Sequence, residues 1–209
     1  MKRNITIPIL ILLNTYAVMS QSLSLKVGIN KNYTTYENQD FFNDPSKYHT
    51  VGYDPKIGYQ IGILYNHIFF KSFGLNAEVG FLNKGQNIII PFSNKYLFSV
   101  DYQYIYLKPS ITYSIFKGLS ISSGINFNKK LNIVISGKGV EQAKTKDSDI
   151  SYSIGLMYQY KKIGIAFDFT KNLTVTQTGK LLGETYSYRH HWLSLSLMYS
   201  IYERKPKSN

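Results

Sequence analysis

Ser187, His190 and Glu184 lie close together in the chain and are of the types that supply a nucleophile, a base and an orienting carboxylate. A lipid-modifying enzyme built on a small membrane barrel would need such a set. Serine is plentiful here, so the same triple arises by chance, and the reading we favour is noncatalytic. His190 and His191 are adjacent, and adjacent strand residues point to opposite faces, so both cannot line one metal site on a strand face. His49 and His67 are far off in sequence. We therefore expect no metal and no cofactor. The chain has no Cys, which excludes a disulfide framework, a thiolate metal site and a lipid-anchored cysteine. Gly74, Gly80 and Gly85 do not form a phosphate loop, because no helix follows them. They read as points of close approach inside a barrel.

Four other residues stand out because charge is rare around them. Lys26, Glu78, Lys108 and Asp168 are the charges found within segments of strand-like alternation, two of each sign. All four fall on the polar face of their segments. A lysine facing lipid near the bilayer midplane costs about 2–4 kcal/mol, whereas charges inside a lumen can pair. We expect these four to form an internal ion-pair network that plugs a barrel. Hydration near strand ends is the plainer alternative.

The elements that would position them repeat with period two. Apolar or aromatic residues alternate with small polar ones in eight segments: 23–30, 57–66, 73–83, 104–115, 119–128, 150–160, 163–169 and 191–202. No helix-period segment of useful length occurs after residue 20. Strands of about ten residues suffice to cross a bilayer at a tilt. The connections alternate as well. Short ones (around 67–72, 116–118 and 161–162) separate long polar ones (31–56, 84–103, 129–149 and 171–190). This predicts an all-β fold: an eight-stranded antiparallel up-and-down transmembrane β-barrel of meander topology, with short turns and both termini periplasmic. Eight strands leave an interior just wide enough for side chains, so a wide pore is not expected.

Two barrels could use this pattern. A soluble, lipocalin-like barrel would turn its apolar face inward around a ligand; a membrane barrel would turn it out to lipid. The polar face is rich in Gly, Ser, Asn and Thr, which suit a packed lumen, whereas a wetted surface would carry more Lys and Glu. Tyr59, Tyr65, Tyr113, Tyr152, Tyr158, Tyr160 and Tyr199 then suit interfacial girdles, with ordinary strand packing as the alternative. Mean hydropathy is −0.18, an average that hides alternating apolar residues.

Residues 1–20 read as a cleaved signal peptide: a basic start, a short apolar core and Val18-Met19-Ser20 before the junction. The barrel would occupy residues 21–202, and 203–209 would be a charged periplasmic tail. Removing Lys2 and Arg3 lowers the net charge from +12 to +10. The lysines are scattered among loops, so nucleic acid is not expected as a partner. Attraction to outer-membrane lipid headgroups and lipopolysaccharide phosphates is.

The strands also resemble a known family, the Bacteroidetes-type outer-membrane β-barrel domain (porin-like or PorT-like small barrels). Leu25-Lys26-Val27-Gly28-Ile29-Asn30 is similar to that family's opening Val-Lys-Ala-Gly-Leu-Asn type of strand. The stretch Leu75 to Gly85 resembles its Pro-Glu-Leu-Leu-Tyr…Lys-Gly strand, with Glu78, Lys84 and Gly85 in register. Asp149, Gly155 and Tyr158 followed by Lys161-Lys162-Ile163-Gly164 are similar to its sixth-to-seventh hairpin, and Leu195 to Ile201 to its closing strand. The chain departs from the pattern in ending on a charged tail instead of a terminal Phe. The resemblance implies a location in the outer membrane of a Gram-negative bacterium, assembly by the barrel-assembly machinery, and no shared catalytic residues. The expected function is structural, adhesive or within an envelope secretion or assembly complex, acting through the long outer loops or the periplasmic end.

Overall fold

The computed structural model describes residues 20–36, 52–69, 72–90, 95–137, 144–181 and 184–204. The expected signal peptide and most of the tail lie outside these residues, as does His49. Eight strands form the wall: β1 (Ser20–Tyr36), β2 (Ile57–Ile68), β3 (Phe73–Ile90), β4 (Lys95–Phe116), β5 (Leu119–Gly137), β6 (Ser148–Tyr160), β7 (Ile163–Asn172) and β8 (Glu184–Arg204). Each pairs antiparallel with its sequence neighbours, and β8 pairs with β1 from Gln21↔Arg204 to Tyr36↔Tyr188. The sheet is therefore closed, and every wall strand has a partner on both sides. Three shorter strands, Gly52–Pro55, Lys144–Thr145 and Gln177–Leu181, extend the wall at one end.

That end carries the long hairpins; the other carries the short turns and both ends of the wall, since Ser20 pairs with Ile68 and Gln21 with Arg204. Two of the turns reverse the chain in two residues and use positive φ, at Gly118 (87°) and Lys161 (53°). Glycine adopts that conformation freely, while lysine does so only at a cost.

The faces are assigned by exposure. Ile165, Phe167 and Leu195 are 49%, 46% and 51% exposed, while Asp168 between them is 5% exposed. The same alternation runs round the barrel, so a belt of Leu, Ile, Val, Phe and Tyr faces outward. Ser, Asn, Thr, Gly and a few charged groups face in. All seven tyrosines proposed as girdle residues face outward, Tyr65, Tyr113, Tyr158, Tyr160 and Tyr199 toward the turn end.

Two features differ from the sequence expectation. The segments 84–103, 129–149 and 171–190, expected as loops, are largely strand: Lys84↔Tyr102 through Ile90↔Lys95 continue the β3–β4 ladder well past the apolar belt. Ladder hydrogen bonds do not need an apolar face, so wet strands carry no period-two apolar signal. In addition, the β4–β5 pairing passes from Leu107↔Phe127 to Ser110↔Gly124 without bonding at Lys108 and Pro109. Proline has no N–H to donate. It is accommodated opposite Ala77 on β3.

Candidate functional site

The lumen is packed in layers. Toward the turn end, Leu64, Ala166 and Met198 form a small apolar cluster with Met157. Toward the hairpin end, Leu82, Val100, Tyr102, Tyr104, Tyr106 and Trp192 form a larger one. Between them β1, β3, β4 and β7 bring Lys26, Glu78, Lys108 and Asp168 together. Lys26 Nζ lies 3.2 Å from Glu78 Oε2 and 2.8 Å from Asp168 Oδ2. Lys108 Nζ lies 2.8 Å from Glu78 Oε2 and 3.3 Å from Asp168 Oδ1. Each lysine touches both carboxylates, so the four make a closed square of alternating sign. The remaining Glu78 oxygen accepts a 2.6 Å hydrogen bond from the Tyr106 hydroxyl. Buried charges persist when they are paired and hydrogen-bonded, and here both conditions are met.

Glycines make room for this arrangement. Gly62 and Gly80 are cross-strand partners, and the Tyr106 ring crosses both. A Cβ at Gly80 would sit 2.8 Å from Tyr106 Cζ, and one at Gly62 2.9 Å from its hydroxyl. Gly155 pairs with Asp168 and leaves the space its carboxylate fills. The sequence reading of Gly80 as a close approach applies here. Gly74 meets β2 backbone and the Thr112 side chain, and Gly85 meets Asp101 and Val100.

A second charged layer was not foreseen in the sequence. Above the apolar belt, fully buried Lys84 lies 4.5 Å from the Tyr104 ring and 4.3 Å from the Trp192 ring. Its Nζ is 3.6 Å from Asp149 Oδ2, and Asn128 donates to Asp149 Oδ1 at 2.5 Å. Burial lowers the Lys84 pKa, and the nearby Asp149 charge opposes that only in part. The aromatic faces supply further attraction for the ammonium. Lys84 and Asp149 fall in 84–103 and 129–149, which lack apolar alternation, so the sequence does not mark them as wall charges. The available signal was the even spacing of Lys84 from Glu78 on one strand.

His190 lies in the lumen at this upper level, fully buried, with Asn32 Nδ2 donating to its Nδ1 at 3.0 Å and the Tyr102 ring edge-on at 5.3 Å. Burial and the Lys84 charge hold its pKa well below the ordinary histidine value, so the ring is neutral. His191 faces outward, as strand alternation requires. His67 lies near the turn end, far from both. Ser187 and Glu184 occupy positions on β8 whose side chains lie outside the described residues. Among the described residues no three His, Asp or Glu side chains converge as metal ligands.

Two cavities of about 20 Å³ flank the ionic square, one bounded by Leu82, Asn128 and Trp192, the other by Leu64, Gly155 and Met198. Each has room for a single water. Among the described residues, the space beside the ionic square is water-sized, far smaller than the ligand chamber a lipocalin-like barrel would need.

No protein-family model matches the sequence, and no curated protein matches it. Solved structures do. Neisserial surface protein A aligns with 87% of this chain and 99% of its own, with a TM-score of 0.56 at 8% identity. The outer membrane protein OprG from Pseudomonas aeruginosa aligns with 88% of this chain and 95% of its own, with a TM-score of 0.51 at 10% identity. At such identities the likeness is one of fold: a closed, eight-stranded antiparallel β-barrel of the membrane class.

Proposed function

We propose that the protein is a noncatalytic integral barrel of a Gram-negative outer membrane, plugged through its lumen, that works through its long outer hairpins or its periplasmic end. The observation that carries this reading is the combination of an outward apolar belt with an interior closed by paired charges. A belt of that kind is stable in hydrocarbon, and the closed sheet pairs the backbone within it apart from the break at Lys108 and Pro109 between β4 and β5. Fold likeness to an outer membrane protein supports the location. In this reading the short turns and both wall ends face the periplasm, and the barrel-assembly machinery inserts the chain. A structural, adhesive or envelope-complex role follows from where the free surface lies: the hairpins stand beyond the belt, while the described lumen is filled by the ionic square and its flanking clusters.

Membrane fractionation followed by crosslinking tests this. The protein is expected in the outer-membrane fraction, extractable only with detergent, with crosslinks to envelope proteins through hairpin residues. Recovery in a soluble fraction without detergent would overturn the reading. An unchanged lipid profile in cells carrying His190→Ala is expected; altered lipid chemistry would favour an enzyme instead.

A further inference from the structure

On three adjacent strands the outward face changes character at the same height. On β1 it runs Ile29, Lys31, Tyr33; on β8, Leu193, His191, Arg189; on β7, Phe169, Lys171. The register makes this one row, because Tyr33 pairs with His191, and His191 with Lys171. The rings of Tyr33 and His191 are stacked, 5.5 Å apart and 10° from parallel, and His191 leans on Phe169 at 6.4 Å. Lys31 Nζ lies 5.8 Å from the Tyr33 ring centre. Lys31 and Lys171, both exposed, flank the stack. No carboxylate occurs in 31–36, 171–172 or 189–192.

Elsewhere the belt edge is built differently. The row that continues Ile29 through Tyr59 presents Asn83 and Gln103 on β3 and β4, and β5 presents a single exposed lysine, Lys129, beyond Phe127. What sets β1, β7 and β8 apart is two exposed lysines on either side of a stacked Tyr33–His191 pair.

We infer that this flank is a docking surface for a multiply phosphorylated lipid headgroup of the outer leaflet. Acyl chains would lie along the belt below, against Ile29, Leu195 and Phe169. The phosphates would meet Lys31 and Lys171, whose strands stand two spacings, about 10 Å, apart. One phosphate fits each lysine better than one phosphate fits both. The Tyr33–His191 stack fixes the floor between them at the height where amphipathic rings sit in a membrane interface. Basic residues at a membrane surface attract anionic lipid strongly enough that losing two of them is measurable.

The inference rests on the outer-membrane reading for its occupant. Its test does not depend on cell location, because it is made on the full barrel refolded in neutral detergent. Native mass spectrometry would be used to titrate diphosphoryl lipid A, the same lipid with both phosphates removed, and inorganic phosphate. The wild-type barrel is expected to hold one diphosphoryl lipid A at least tenfold more tightly than the dephosphorylated lipid. Lys31→Gln/Lys171→Gln should lose most of that preference, with its circular dichroism and heat-shifted gel mobility unchanged. Lys161→Gln/Lys162→Gln, at the turn end, should keep it. Equal retention of the two lipids, wild-type preference in the Lys31/Lys171 variant, or saturation by inorganic phosphate at the same concentrations would overturn the inference. Should fractionation find the protein outside the outer membrane while the binding ratio holds, the functional reading fails and the site stands.

Discussion

Glu78 has three charged or polar partners in the lumen: it accepts from Lys26, Lys108 and Tyr106. Removing it leaves two lysines facing one carboxylate in a buried layer. Glu78→Ala should therefore destabilise the barrel by about 3–5 kcal/mol, read as a lower urea midpoint in detergent micelles. The charge-balanced Glu78→Leu/Lys108→Met pair should cost less than the sum of its single changes, because neither partner is left orphaned. His190 gives a pH signature. Its folded pKa is depressed, so the unfolded chain takes up the proton first, and stability falls as pH drops below the ordinary histidine value near 6.5. The slope approaches about 1.4 kcal/mol per pH unit for one such group. Urea midpoints between pH 7.5 and 5 should decline less steeply in His190→Gln than in the wild type.

Alternation governs the strands, and its two faces answer differently to substitution. Ile165 on β7 faces out and is half exposed to the medium, whereas Ser153 on β6 is buried in the lumen with only a long 3.5 Å contact to the Gly124 carbonyl. Ile165→Lys should cost about 2–4 kcal/mol and impair insertion into lipid vesicles, while Ser153→Ala should insert normally. The strands were legible in the sequence wherever apolar residues recurred every second position, as in Ile163, Ile165, Phe167 and Phe169. They were not legible in 84–103 or 129–149, where the same ladder continues without an apolar face. That difference hid Lys84 and Asp149. It also hid the role of Tyr102; Tyr104 and Tyr106 lie in the legible segment 104–115, but on the face expected to carry small polar residues, and all three fill the lumen while the belt residues beside them face out. Lys26, Glu78, Lys108 and Asp168 could be named from sequence because each sits among apolar alternation on the polar side. Their mutual distances could not, because the shear of the closed sheet decides which positions on distant strands share a level.

At the scale of the whole molecule, the closed sheet turns a modest chain into a wall with two unlike surfaces. Its outside is apolar over the belt, with exposed Lys31, Lys129 and Lys171 at the rim; its inside alternates apolar clusters with charged layers. Among the described residues, the ionic square, the Lys84–Asp149 layer and the aromatic cluster between them fill the lumen and leave water-sized voids beside the square. Purified protein in planar bilayers should accordingly give currents no larger than protein-free bilayers under an applied potential. Step conductances would contradict a plugged lumen. Its hairpins and its surplus charge lie at its ends and rim.

The account depends most on which face of the wall meets hydrocarbon. Because the chain contains no cysteine, single cysteines can be placed one at a time along residues 163–170 and spin-labelled. Collision rates with dissolved oxygen, which concentrates in the bilayer, and with a water-soluble nickel chelate are then measured in reconstituted vesicles. The account predicts oxygen-accessibility maxima at Ile163, Ile165, Phe167 and Phe169 and minima at Gly164, Ala166, Asp168 and Thr170. A profile of the opposite phase, or one without alternation, would contradict it.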